Sequence, residues 1–372
     1  MSVPVAEPSR APKAKGCLSS LMTLVVSIVL ALLIAEALVY ALYRDRVVLY
    51  PRYVTDVWHG DFHIRGNVPG ARYRHKSIDG TWDFRINENG FRNDVDFEYE
   101  KPRGTHRILV LGDSFTIGYE VEQDETYSSV LERYLRREGL EVQVLNAGMS
   151  GSSTAEELVF FEHEGVKYEP DIVIIGFYWN DLEDNLKANL FRLEDDQLET
   201  NAIEYVPAIK IRNRLQAIPL YGWLSQRSYL HNYLNNVATG YFKTAMLRQN
   251  IADLQSKTGL ESEDVETYKT ELGRALVSRV TSVAHASGAK VILLDIASWD
   301  LKPSFPWRGD VDAGEIADVY VDTARLLSEY ESLAALRVPN GHGHWAPLSH
   351  LVAGMELGRI TSELLGRTTD AP

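Results

Sequence analysis

The sequence predicts an α/β protein: a three-layer α/β/α sandwich on a mostly parallel five-stranded sheet, preceded by one transmembrane helix and a small β-rich collar. Three observations carry that expectation. Residues 108–111 and 171–177 are short, almost wholly apolar runs, which is how strands covered on both faces of a parallel sheet read. From residue 105 onward such runs alternate with stretches of helical spacing, and right-handed crossovers then place helices on both faces. Near the N-terminus an apolar stretch of about 25 residues is long enough to cross a hydrocarbon core about 30 Å thick.

Composition narrows the function classes. The 372 residues suffice for about two domains or one enlarged domain, and 45% hydrophobic content is ordinary for a globular chain. A formal net charge of −14 without a basic stripe argues against a nucleic-acid partner. The single cysteine, Cys17, reads as a small apolar residue and excludes an intrachain disulfide. Asp and His residues show no ligand spacing, so neither a metal nor a cofactor is expected.

Residues 1–17 form a short tail and 18–43 the membrane helix. Ala35-Glu36-Ala37 has the small-x-small form of a cleavage site, but the apolar run before it exceeds that of a signal peptide, so an uncleaved anchor is expected. Arg10, Lys13 and Lys15 on one side balance Arg44, Arg46 and Arg52 on the other, a tie by the positive-inside count. The tail is placed inside because the large domain lacks cysteine and so suits an oxidising compartment outside the cytoplasmic membrane. Tyr40, Tyr43, Tyr50, Tyr53 and Trp58 then supply an outer aromatic belt. Glu36, the one acid in the span, lies two turns from Arg44 and reads as an interfacial snorkelling side chain, with a functional intramembrane acid as the alternative.

Residues 44–103 make the collar, with Asp79-Gly80 at the centre of a hairpin over 71–85 and Asn87-Glu88-Asn89-Gly90 as a second turn. Its His63, Arg65, Arg72, Arg74 and His75 are expected on a solvated face rather than on lipid headgroups. The domain over 104–368 begins with the strand at 108–111. A helix follows on Tyr127, Val130, Leu131, Tyr134 and Leu135, stopped by Gly139, and then a strand at 141–145. Thr154 with Glu157 forms a capping box for the next helix, and the third strand spans 171–177.

Residues 182–264 break the alternation and read as an inserted, partly helical cap whose Tyr221, Trp223, Tyr229, Tyr233, Tyr241 and Phe242 suit either a core or the stacking of sugar rings. A helix at 265–287, a strand at 290–296, a helix at 313–330, a fifth strand at 333–338 and a closing helix at 349–365 complete the domain.

Gly112-Asp113-Ser114 puts a serine where the first strand's carboxyl end meets a loop, the rim at which open α/β sheets bind ligands. It is neither a dinucleotide fingerprint nor a P-loop. Asn146-Ala147-Gly148 closes the second strand, Trp179-Asn180-Asp181 the third, and His344-Trp345 precedes the last helix. With these four stretches the sequence resembles the SGNH (GDSL) family of esterases and acyltransferases. The resemblance implies Ser114 as nucleophile, His344 as base, and an oxyanion hole from the Ser114 and Gly148 N–H groups and the Asn180 side chain. His344 is preferred over His342 and His350 because His-Trp-x-Pro before a helix matches the family's late block; His350 is expected to pack or cap.

Two departures stand out. The family places an Asp two or three residues before its His, where this chain has Gly341 and His342, and a Gly where this chain has Tyr178. A Ser-His dyad, a substitute carboxylate such as Asp300 or Asp310, a backbone carbonyl holding the imidazole, or lost activity are the open alternatives. The expected function is a membrane-anchored serine esterase acting on an acylated small molecule, glycan or lipid. The alternatives are an O-acyltransferase for a surface polysaccharide and an inactive glycan-binding protein; oligomeric state stays open.

Overall fold

The computed structural model describes residues 14–49, 54–207, 209–332, 335–340 and 343–366. Helix α1 (Ala14–Tyr43) is apolar and almost wholly exposed from residue 19 onward, and is long enough to cross a membrane. Two antiparallel hairpins follow: β1 (Val54–His59) with β2 (Phe62–Asn67), and β3 (Arg72–Lys76) with β4 (Thr81–Arg85). The second turns at the expected Asp79-Gly80, where the Ser77 N–H donates to Gly80 O at 3.0 Å.

The core sheet comprises β5 (His106–Gly112), β6 (Val142–Asn146), β7 (Ile172–Phe177), β10 (Lys290–Asp295) and β11 (Val319–Asp322), in the order β11-β10-β7-β5-β6 and parallel throughout. Its middle strands are buried on both faces because α3 (Tyr127–Arg137) and α11 (Pro347–Leu364) cover one side while α4 (Thr154–His163) and α9 (Val265–Ala286) cover the other. This is the three-layer sandwich.

The fifth strand differs from expectation. Residues 319–322 were read as helix, yet they pair with β10, and helix α10 (Thr323–Ser328) starts only where Asp322 accepts from the Arg325 N–H. Of the strand expected at 333–338, residues 333 and 334 lie outside the described residues and 335–338 are loop, with Arg337 bridged to Trp345. At α4 the N-cap is Ser153 with Glu156, one residue before the expected pair.

The collar is not a separate solvated layer. Phe62, Ile64 and Phe91 join the core beneath β5 and β7, and Ala71, Tyr73, Phe84 and Ile86 pack on Ile117. His63 and His75 are buried, and Arg65 lies in a buried ion pair with Glu156; of the five basic residues expected in solvent, only Arg72 and Arg74 are there. Trp58 is exposed and stacks on His63, while Tyr50 and Tyr53 lie outside the described residues.

Between β7 and β10 the chain forms α5 (Asp181–Ala188), the hairpin β8 (Phe191–Glu194) and β9 (Gln197–Thr200), then α6 (Ile209–Gln216), α7 (Pro219–Arg227) and α8 (Tyr229–Thr258). Tyr229 and Tyr233 of this cap pack on Tyr40 and Tyr43 of α1 rather than on a core of their own. Glu36 does not snorkel toward Arg44: its carboxylate accepts from the Tyr229 and Leu230 N–H groups at 2.7 and 3.0 Å, capping α8.

Candidate active site

Ser114 opens a four-residue helix, α2 (Ser114–Ile117), directly beyond β5. The turn into it needs Gly112, whose φ of +148° is open to glycine alone and where a Cβ would lie 2.0 Å from Thr116 Oγ1. Asp113 caps the helix by accepting from the Phe115 N–H at 2.9 Å. The serine hydroxyl is thereby held at the carboxyl rim of the sheet.

His344 reaches it from the loop before α11. Its Nε2 lies 2.7 Å from Ser114 Oγ, and its ring sits against Phe115 and Tyr119 at centroid distances of 4.8 and 4.4 Å. That loop is clamped to the end of β10 by the Arg337 guanidinium, which donates to the carbonyls of Gly343, Ala297 and Ser298. The two residues expected to form the nucleophile and base are therefore in hydrogen-bond contact. His350 is elsewhere: its buried Nδ1 accepts the orphan N–H of Tyr127 at the start of α3, and burial pushes its pKa down to about 3, so it stays neutral.

Gly148 and Asn180 occupy the same rim. A Cβ on Gly148 would stand 2.4 Å from Ile117 N, so only glycine lets the loop after β6 touch α2. Its N–H donates to Asn146 Oδ1 at 3.1 Å, and its carbonyl accepts from collar Asn67 Nδ2 at 3.0 Å. A second acceptor for that N–H would have to share it. Asn180 donates one Nδ2 hydrogen to Asp184 at 2.9 Å, and its amide also stabilises the charged form of Asp113. Tyr178, at the family's glycine position, packs on Phe115 at 4.4 Å.

Neither carboxylate named as a substitute acid stands at His344. Asp300 is at the surface, bonded to Ser298 and Lys302, and Asp310 is exposed in the turn Gly309–Val311. Gly341 and His342 lie outside the described residues. One acid whose charge reaches His344 is Glu120, which sequence reading missed. It is buried, adopts φ +61°, and its Oε1 lies 3.2 Å from His75 Nε2. Burial pushes its carboxyl up, but the contact with His75 and the fields of His75 and His344 outweigh this and hold it below its ordinary value. A left-handed, buried, ionised glutamate is a costly arrangement of the kind that collects at functional sites.

Beneath Ser114 lies a set of buried carboxyls of the opposite character. Burial pushes Asp113 up to about 7 despite the backbone donors of Phe115 and Ser114. Burial together with the Asp113 field pushes Glu157 to about 8, and Asp181 is raised by burial and by both neighbours. These groups take up protons more readily than Glu120 does.

A serine on a strand-to-helix turn, its hydroxyl on an imidazole, beside two amide donors, is the equipment of acyl transfer. Comparison with known proteins agrees. Residues 110–316, more than half of the chain, match the GDSL-like lipase/acylhydrolase family, and the chain belongs to it. An arylesterase of Vibrio mimicus is 32% identical over 79 residues, which is 21% of this chain and 40% of the length of that relative. Among solved structures, TesA is similar at 18% identity over 70% of this chain and 99% of its own, with a TM-score of 0.37. Axe2, an acetylxylan esterase from Geobacillus stearothermophilus, is similar at 14% identity over 71% and 95%, with a TM-score of 0.37.

Proposed function

We propose that the protein is a membrane-anchored serine esterase that removes acyl groups from a glycan or lipid outside the cytoplasmic membrane. The carrying observation is the 2.7 Å contact between His344 Nε2 and Ser114 Oγ. His344 takes the serine proton as Ser114 attacks the ester carbonyl, then returns it to the leaving alcohol; water repeats the cycle on the acyl-enzyme. Gly148 N–H and Asn180 Nδ2 meet the oxyanion, each donor of this kind contributing about 10² to 10³ in rate. Glu120, through the field it shares with His344, stabilises the imidazolium in place of the acid absent from the late block. Exposed Trp179 and Trp299, next to Asn180 and on the loop after β10, offer apolar faces to a sugar ring or acyl chain. Helix α1 is the anchor.

The full chain in detergent should hydrolyse a short-chain nitrophenyl ester and react with a fluorophosphonate. Ser114→Ala and His344→Ala should each abolish labelling and lower hydrolysis by roughly 10³ or more. Equal hydrolysis by the wild type and Ser114→Ala would end this reading. Acyl transfer to an added sugar exceeding hydrolysis would assign water's place to a sugar hydroxyl and make the protein an O-acyltransferase.

A further inference from the structure

The catalytic reading leaves α6 to α8 of the cap unused, and that segment is chemically unlike the rest of the chain. Between Tyr205 and Ala252 there are six basic residues, Lys210, Arg212, Arg214, Arg227, Lys243 and Arg248, and no acid, in a chain of net charge −14. Arg214, Arg227 and Arg248 are exposed. The same segment exposes large apolar side chains: Ile218, Leu220 and Trp223 at the start of and along α7, and Leu234, Val237, Tyr241 and Phe242 along α8. Leu234, Val237 and Tyr241 recur at the spacing of one helix face, and Arg248 lies two turns further along it.

The junction of α7 and α8 is fixed in depth by α1. Glu36 accepts from Ser228 Oγ at 2.7 Å as well as from the first N–H groups of α8, and Tyr40 and Tyr43 meet Tyr229 and Tyr233 at 5.0 and 4.9 Å. Glu36 is two turns before Tyr43, so the junction is docked about 10 Å below the end of the anchor helix. That depth is the boundary between headgroups and acyl chains, where an amphipathic helix with a basic face lies. Arg227 stands 5.7 Å over the Trp223 ring, a cation beside an interfacial aromatic.

We infer that α7 and the first turn of α8 form a second membrane surface that lies in the outer leaflet and takes anionic phospholipid. The inference rests on the reading of α1 as a membrane anchor. The far end of α8 is tied to the catalytic domain, Asn250 Nδ2 donating to the carbonyls of Leu186 and Lys187 in α5, the helix that starts at Asn180. Helix α8 is thus a strut between bilayer and cleft, and lipid contact at its first turn sets the height and tilt of the site.

The test uses the full chain with Cys17→Ser and single cysteines at Ile218, Leu220 and Trp223. Leu30 in α1 and exposed Arg103 at the end of the collar serve as lipid and water references. Each is spin-labelled in vesicles of phosphatidylcholine with or without phosphatidylglycerol, and its access to oxygen and to a water-soluble nickel chelate is measured. Labels at 218, 220 and 223 should favour oxygen as Leu30 does, more so with phosphatidylglycerol, and reversing Arg214 and Arg227 to Glu should remove that dependence on anionic lipid. If they favour nickel as Arg103 does while Leu30 favours oxygen, the proposal fails and the anchor stands. If Leu30 also favours nickel, both fall. Shielding of the three positions from both reagents would mark a contact with a second protein and overturn the lipid assignment.

Discussion

Replacing Gly148 by Ala tests whether the loop after β6 works as part of the site. The added Cβ would stand 2.4 Å from Ile117 N and 2.8 Å from the Thr116 carbonyl carbon, against an ordinary contact of about 3.5 Å. Both atoms are backbone, and neither side gives easily. Ile117 N–H is bonded to Asp113 O at 3.0 Å, and the loop is pinned by Met149 N to Gly112 O and by Asn67 to Gly148 O, each at 3.0 Å. Relief therefore moves α2, with Ser114 at its head, by about 1 Å, and a misplacement of that size costs about 10² in rate. Overpacking also destabilises by about 1–3 kcal/mol. The assay is kcat and KM on a nitrophenyl ester beside an unfolding curve, with Gly222→Ala, which meets nothing within 4 Å, as the control. Expected is a roughly hundredfold fall in kcat with KM little changed. A destabilised variant whose kcat stays within about threefold of wild type would refute the placement of Gly148 against the nucleophile.

Three further perturbations follow from the same geometry. Arg65→Ala leaves Glu156 charged and buried, and should cost about 3–5 kcal/mol in urea unfolding, whereas Arg74→Ala breaks only an exposed pair with Asp83 and should cost about 0–1 kcal/mol; similar losses would contradict the burial of Arg65. The raised carboxyls Asp113 and Glu157 give a definite pH trend. Their folded pKa values exceed the unfolded ones, so their contribution to stability is fully present below about pH 4 and is lost as pH rises through about 7 to 8. Melting at pH 5.5 against 8.5 should show this component, and Glu157→Gln should reduce the difference; an unchanged difference would place the proton elsewhere. Glu120→Gln removes the negative charge felt by His344, so kcat should fall about tenfold and the acidic limb of the rate profile should move to lower pH. A fall in rate with no shift of that limb would make Glu120 structural only.

Much of the fold and the nucleophile was legible in the sequence for a simple physical reason. Middle strands of a parallel sheet are apolar throughout, and residues 108–111 and 171–177 can be little else. Strand β11 was not legible, because Val319–Asp322 is a four-residue edge strand whose apolar positions also fit the helix that begins right after it. The capping box slipped by one residue because Ser153-Glu156 and Thr154-Glu157 both satisfy the pattern. What decides is tertiary: Asn185 Oδ1 accepts the Ala155 N–H, and Ser153 is left to cap. Of the cap's aromatics, expected as core or sugar platform, Tyr229 and Tyr233 pack on α1, and a partner nearly two hundred residues away carries no local signal.

The supports of the site were the least legible part, since each one crosses from the collar to a distant segment, and those of Asn67 and Arg92 end on backbone atoms. Asn67 holds Gly148, and Arg92 donates to the carbonyls of Ile117, Gly118 and Val121, just beyond the nucleophile. His75 meets Glu120. Side chains that bind carbonyls leave no motif, because the partner residue's identity is irrelevant to the bond. The consequence is that the region read as a connector between anchor and enzyme is the second wall of the candidate site. A fragment begun after residue 103 would lack Asn67, His75 and Arg92 together, leaving Glu120 buried without its imidazole and α2 without its clamp. Such a fragment should lose activity even where the parallel sheet forms, because the strands place the serine while the collar holds the groups that surround it.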